Sequence, residues 1–362
     1  VRVTAPTSFS PTLTRQADND SYLDLARQVR AAGLFQHSPW RAVARVSLVG
    51  GLYGAGWAAL FLLGDTWYQL LVAAYLAVVF AQVGFLGHDV GHRQVFPSRR
   101  WNNLVGMACA DLATGISYGY WVDKHNRHHS HPNEVGADPD VGPGVISWTA
   151  AQAGAKTGLG RVVARHQAAL FFPLACLEAM SLHVSSARAL GTKPVRHTPT
   201  EAFLLLAHAG VYLGAVFLAL SPLRALAFIA VQQGVFGLYL ACAFAPNHKG
   251  MTMPAPGQRL DFVHRQVTTS RNVRGGRALD VAMGGLNYQI EHHLFPTMPM
   301  ANLRRCRGMV RAYCSAQGID YCETSLARSY AVSLRHLRDV GRSARGAAPP
   351  GPTGRQGLRA PG

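Results

Sequence analysis

The chain has 362 residues, with 35 Lys and Arg against 18 Asp and Glu, 16 His and a formal charge of +17. That length allows one large domain or two ordinary ones. An apolar fraction of 49% with 15% charged residues excludes a disordered chain, and a mean hydropathy of only +0.07 excludes one embedded in lipid throughout.

The first 40 residues contain no uninterrupted apolar run of the signal-peptide kind, and residues 1–45 read as a cytosolic N-terminal segment. Four runs without Lys, Arg, Asp or Glu follow. Residues 46–64 and 67–87 are separated only by Asp65 and Thr66, and residues 202–220 and 225–245 by residues 221–224. At 1.5 Å per helical residue each run can cross a hydrocarbon core of ~30 Å. Soluble helices of this length normally carry a charged face, and these carry none. The expected fold is an all-α membrane protein with four transmembrane helices arranged as two hairpins, under a cytosolic helical cap.

A fifth apolar stretch, residues 168–185, holds Pro173, Glu178 and His183 and reads as an interfacial or half-buried helix. A true fifth span there would put the histidines discussed below on opposite sides of the bilayer. Residues 46–340 are therefore taken as one membrane domain. The tail, residues 341–362, is rich in Gly, Pro, Ala and Arg and is expected to be disordered.

Charge sets the orientation. Lys and Arg number 6 in residues 1–45, 11 in residues 88–200 and 17 from residue 246 onward, which leaves Arg224 alone in the short loops. With two hairpins, 34 of 35 basic residues share one side, which the positive-inside rule makes the cytoplasm. Both termini and residues 88–200 are then cytoplasmic, and attraction to anionic lipid explains the charge without nucleic acid. The six cysteines form no CxxC and read as reduced thiols, and the Ala/Arg/Gly-rich composition suggests a bacterial cell (inner) membrane.

Histidine is the informative residue. His88 and His92, directly after the second run, lie one helical turn apart. His125, His128 and His129 occupy the i, i+3 and i+4 positions of one helical face, and Gln289, His292 and His293 repeat that spacing. His248, preceded by Asn247, follows the fourth run as His88 follows the second. One such pair is commonly just a surface or interface feature, but eight imidazoles confined to one membrane face match metal chemistry better than core packing. They exceed the four ligands of one tetrahedral zinc, which favours two metals with open positions. No cysteine cluster supports an iron–sulfur or zinc-finger reading, and imidazole ligands suit iron, zinc or copper alike.

The motifs HDVGH, HNRHH and QIEHH, in this order and placement, resemble the three histidine boxes of the membrane fatty acid desaturase family over roughly residues 40–330. Gln289 in place of a first histidine resembles the front-end, acyl-CoA or acyl-lipid branch. The resemblance implies that His88, His92, His125, His128, His129, His292 and His293 hold a di-iron centre, with His248 as the additional ligand after the last span. It further implies O2-dependent insertion of a cis double bond into an acyl chain, with electrons from an external donor. Many front-end members carry a fused cytochrome b5 domain with an HPGG motif that this sequence lacks. The expected donor is thus a separate ferredoxin-type (or cytochrome b5-type) protein with its reductase.

A methylene has no acidic proton, so acid–base catalysis alone cannot dehydrogenate it and a metal–oxygen oxidant is required. Asp89, Glu291 and Asp138 are candidates to orient the imidazoles. Gln289 is expected to hydrogen-bond rather than ligate, and Asn247 to act through water. His131 is taken as a non-ligand and His208 as an imidazole bonded to a neighbouring helix; His37, His166, His183, His197, His264 and His336 are taken as structural or exposed. Tyr118, Tyr120 and Trp121 either line an acyl tunnel or sit in the interfacial belt. Lys124, Arg127, Arg271 and Arg274 could dock an acidic ferredoxin, a headgroup or lipid. A His-box hydroxylase or oxygenase is the competing chemistry. A membrane metal transporter is a remoter one, since it expects ligands within the spans, where only His208 lies.

Overall fold

The computed structural model describes residues 11–192 and 198–344, the first ten of these as backbone only. The helices in chain order are α1 (Pro11–Ala31), α2 (Pro39–Leu62), α3 (Gln69–Gly91), α4 (Arg99–Met107) and α5 (Tyr118–Ser130), with a π-helical turn, Ala108–Thr114, continuing α4. Next come α6 (Ala150–Gly154), α7 (Gly158–Ala175), α8 (Glu178–Thr192), α9 (Thr198–Ala219) and α10 (Pro222–His248). The chain closes with α11 (Phe262–Thr268), α12 (Arg277–Ala282), α13 (Gln289–Leu294), α14 (Met300–Ala316) and α15 (Leu326–Ser343). The only strands among the described residues are a parallel pair of three residues each, β1 (Asn272–Arg274) and β2 (Glu323–Ser325), with Asn272 opposite Glu323.

Four helices are long and apolar enough to cross a membrane: α2, α3, α9 and α10. Their boundaries are shifted from the charge-free runs by a few residues, and α10 overruns its run at both ends. α2 begins at Pro39 behind Ser38, because proline at the first helical position loses no hydrogen bond, so the expected break at residue 45 falls inside a helix. α10 likewise starts at Pro222 and runs to His248. The outer faces leave Leu48, Leu71, Phe203, Leu206, Leu218 and Leu226 exposed, which suits hydrocarbon and not water. Inward, α3 and α10 pack through Leu76, Phe80, Phe228 and Phe236, all fully buried.

The turn between α2 and α3 is tied to the turn between α9 and α10. Asp65 Oδ1 accepts from Ser221 N at 3.0 Å, while Arg224 donates to Asp65 Oδ2 at 2.6 Å and lies over the Trp67 ring. This pairing accounts for the lone basic residue of the short loops.

The fifth apolar stretch is not one helix. α7 and α8 meet at 82°, three residues after Pro173, whose missing N–H and bulky ring weaken the last turn of α7. The corner rests on Gly237 of α10, where a Cβ would sit 2.8 Å from Ala179 N and 2.9 Å from Ala175 O. A second core joins α1, α11, α13 and α14 through Leu25, Val29, Val267, Ile290, Leu303 and Val310. At the C-terminus α15 continues through Ser343, so residues 341–343, expected to lack structure, are helical; residues 345–362, like His197, lie outside the described residues.

Candidate metal centre

Each histidine cluster sits at the end of an element whose geometry fixes it. His88 occupies the last turn of α3 and His92 caps it, their ring centroids 4.7 Å apart. His125, His128 and His129 share one face of α5. His248 ends α10, and α13, every residue of which is buried, carries Gln289, His292 and His293.

These segments converge. His88, His92, His125 and His292 each offer a nitrogen to one group, and His128, His248 and His293 to a second, all atoms within a group lying within 4.8 Å of one another. His129 stands between them: its Nε2 is 3.1 Å from His125 Nε2, and its ring stacks on His293 at 4.2 Å. His128 Nε2 and His248 Nε2 face each other at 3.3 Å, with the Gln289 amide 2.9 Å from the latter. Gln289 is therefore within hydrogen-bond reach of an imidazole.

The outer nitrogens have partners that set ring orientation and tautomer. His88 Nδ1 lies 3.0 Å from Asp89 Oδ1 and His128 Nδ1 2.9 Å from Asp138 Oδ2. His248 Nδ1 meets Thr269 O at 3.1 Å and His293 Nδ1 meets Gln266 Oε1 at 2.9 Å. Arg45 in turn pairs with Asp89. The inner nitrogens differ: His88 Nε2, His92 Nε2, His293 Nε2 and both nitrogens of His292 are buried with no hydrogen-bond partner among the described residues. Buried lone pairs left unmatched are costly, and cations would satisfy them. Burial first, and then the neighbouring imidazoles, push His92, His125, His129, His292 and His293 well below the usual histidine range. Burial thus favours the neutral, ligating form of these five rings, and the residues present fit two metal ions.

Several expectations need correction. Among the described residues Glu291 bonds to no imidazole: its carboxylate accepts from Asn272 Nδ2 and Tyr321 Oη, each at 2.7 Å, and burial pushes it up to about 7. Asn272 also accepts from Ile290 N, so this trio fixes the start of α13 rather than a ring. Asn247 donates to Ala243 O within its own helix, and its Oδ1 has no partner among the described residues. Arg271 is not a docking residue but a buried clamp on the end of α10, donating to Pro246 O at 2.6 and 2.9 Å and to Lys249 O at 2.9 Å. Lys124 forms an ion pair with Asp140 at 2.5 Å, whereas Arg127 and Arg274 are exposed. His131 stays outside both groups, and His208 Nδ1 meets Leu112 O at 2.9 Å.

Sequence reasoning missed the acids that hold α5. Glu201, in the first turn of α9, accepts from Ser117 Oγ at 2.5 Å and from Gly119 N at 3.2 Å, and Asp111 Oδ1 lies 3.4 Å from Tyr118 N. A carboxyl oxygen at a helix N-terminus accepts from N–H groups that have no partner within the helix. Nothing local in the sequence marks a residue more than eighty positions away as the cap of this helix. Gln266 and Thr269 were equally silent.

The metal centre opens onto a cavity of about 530 Å³. His88, His125, His128, His248 and Gln289 form part of its wall, with apolar side chains such as Phe85, Ile116, Phe171 and Leu240 around the rest. Tyr118, Tyr120 and Trp121 line it as well, Trp121 stacking on His125 at 4.5 Å.

A fatty acid desaturase family model matches residues 65–325. Among curated proteins, an acyl-lipid (9-3)-desaturase of Physcomitrium patens is 33% identical over 76% of this chain and 54% of its own length. A Delta(8)-fatty-acid desaturase of Helianthus annuus is 27% identical over 91% of this chain and 75% of its own. A Delta(5) fatty acid desaturase of Caenorhabditis elegans is 30% identical over 89% and 74%. The chain thus spans about half of the moss relative and about three quarters of the other two.

Proposed function

Because this chain belongs to the fatty acid desaturase family, we propose that it introduces a cis double bond into an acyl chain carried by coenzyme A or a lipid. The observation that carries the reading is the cavity itself: His88, His125, His128 and His248 form one end of a chamber whose wall is otherwise largely apolar. Two iron ions, when bound, would use O2 and two external electrons to oxidise an unactivated methylene. His88, His92, His125 and His292 would hold one, His128, His248 and His293 the other, with His129 between them. Asp89, Asp138, Gln266 and the Thr269 carbonyl keep the rings turned inward. The apolar wall takes up the methylenes and excludes water, so the acyl chain is presented to the metals by shape rather than by charge.

The four long helices are proposed to stand in the bilayer as two hairpins, with residues 46–340 as one membrane domain beginning in practice at Pro39. The histidine-bearing segments and both termini would face the cytoplasm, with α11 to α15 as the cap. This orientation is supported by the 34 basic residues on one side, and by imidazoles from before and after α7 and α8 reaching one centre. Composition alone favours a bacterial cell membrane, and the electron donor is proposed to be a ferredoxin-type or cytochrome b5-type protein with its reductase.

The test is gas chromatography with mass spectrometry of fatty acids from cells expressing the chain with a ferredoxin and reductase, beside a His128→Ala/His129→Ala control. A new unsaturated species absent from the control is the expected result. Hydroxylated chains would replace the reading with that of an oxygenase, and an unchanged profile in iron-loaded, reducible protein would overturn it.

A further inference from the structure

Acidic and basic side chains other than the histidines reach the wall of the cavity that meets the metal centre at one place, where Lys124, Asp140, Glu178 and Lys249 lie beside Trp148. The two lysines there differ. Lys124 Nζ is neutralised by Asp140 Oδ1 at 2.5 Å. Lys249 forms no ion pair among the described residues: its Nζ donates to the backbone oxygen of Asp140 at 3.1 Å and lies 4.3 Å above the Trp148 ring. An ammonium carries three donors, so one remains for a ligand.

Its position relative to the metals is set by the chain. Lys249 directly follows His248 at the end of α10, and Arg271 grips the Lys249 carbonyl, so the backbone at this point cannot drift. Asp140 connects the two sites, because its carboxylate also lies 3.5 Å from His128 Nδ1. The free donor is therefore one side chain away from a ligand of the second histidine group.

We propose that Lys249 is the anchor for the carboxyl-derived oxygen of the acyl substrate, whether carboxylate, thioester carbonyl or ester carbonyl. A chain held there by its oxygen runs past the histidines into the apolar part of the cavity. The methylenes presented to the metals are then those near its carboxyl end, and the double bond is placed by counting from that end. This inference rests on the acyl-chain reading above and adds the residue that sets the register. Lys124, already paired, contributes to the wall and not to the anchor.

The experiment compares binding of radiolabelled stearate, stearoyl-coenzyme A and distearoyl phosphatidylcholine with that of octadecane, on the full purified chain in detergent. Wild type, Lys249→Met, Lys249→Arg and Lys124→Met are measured side by side. One charge-assisted hydrogen bond lost should weaken at least one oxygen-bearing probe about tenfold or more in Lys249→Met. Octadecane should be unaffected, Lys249→Arg should recover most of the loss, and Lys124→Met should change binding less than about threefold, since its charge is already matched. In cells, Lys249→Met should spread the double bond over several positions where wild type makes one. Equal weakening of all probes, loss in Lys124→Met instead, or an unchanged double-bond position would overturn the anchor while leaving the acyl-chain reading intact. Failure of the wild-type chain to bind any probe or to yield an unsaturated product would instead remove the reading on which the anchor rests.

Discussion

Asp111→Asn isolates a buried proton. Asp111 is fully buried, and burial first, then the charge of Glu201, push its carboxyl up to about 8. At neutral pH the folded chain keeps a proton there that an unfolded chain releases near pH 4. Between those limits the native state binds more protons, so stability falls as pH rises and is lowest once pH passes the folded value. Each pH unit in that window is worth about 1.4 kcal/mol at most, so from pH 6 to 8 the loss has an upper bound of about 3 kcal/mol. Asn is nearly isosteric, cannot titrate, and keeps an acceptor for Tyr118 N. The assay is thermal melting of detergent-purified wild type and variant at pH 6, 7 and 8. The wild-type melting temperature should decline relative to the variant by about 2 °C per kcal/mol for a chain of this size. Parallel pH curves for the two proteins would refute the buried proton.

Other perturbations test separate parts of the fold and the centre. Arg271→Met removes the clamp on Pro246 O and Lys249 O; Ser329 Oγ and Ser333 Oγ still reach these carbonyls, so the loss should be about 2–4 kcal/mol in melting experiments. Arg271→Lys should do little better, because an ammonium cannot span two carbonyls as a guanidinium does, and equal stability of all three proteins would contradict the clamp. Gln266→Leu takes the partner from His293 Nδ1 and should lower metal affinity about 10- to 100-fold, read as faster metal loss in chelator dialysis followed by mass spectrometry. Gly237→Ala drives a Cβ against backbone atoms of the α7–α8 corner and should cost about 1–3 kcal/mol, with wild-type melting behaviour as the contrary result.

Much of this protein was legible in one dimension because the signals involved are local or additive. Charge-free runs announce the four long helices, since a helix in lipid must be apolar along its whole length. His88 and His92, or His128 and His129, declare their common face through helical spacing alone. The tertiary structure decided what depends on distant residues meeting. It sorted eight imidazoles into two groups with His129 between them, and turned Glu291 away toward Asn272 and Tyr321. It buried Arg271 and left the Lys249 ammonium with a spare donor beside the centre. It also set Glu201 as the cap of a helix whose sequence gives no hint of it. A hydrogen bond is satisfied in three dimensions, and which partner a buried polar group finds is a property of packing that spacing along the chain does not encode.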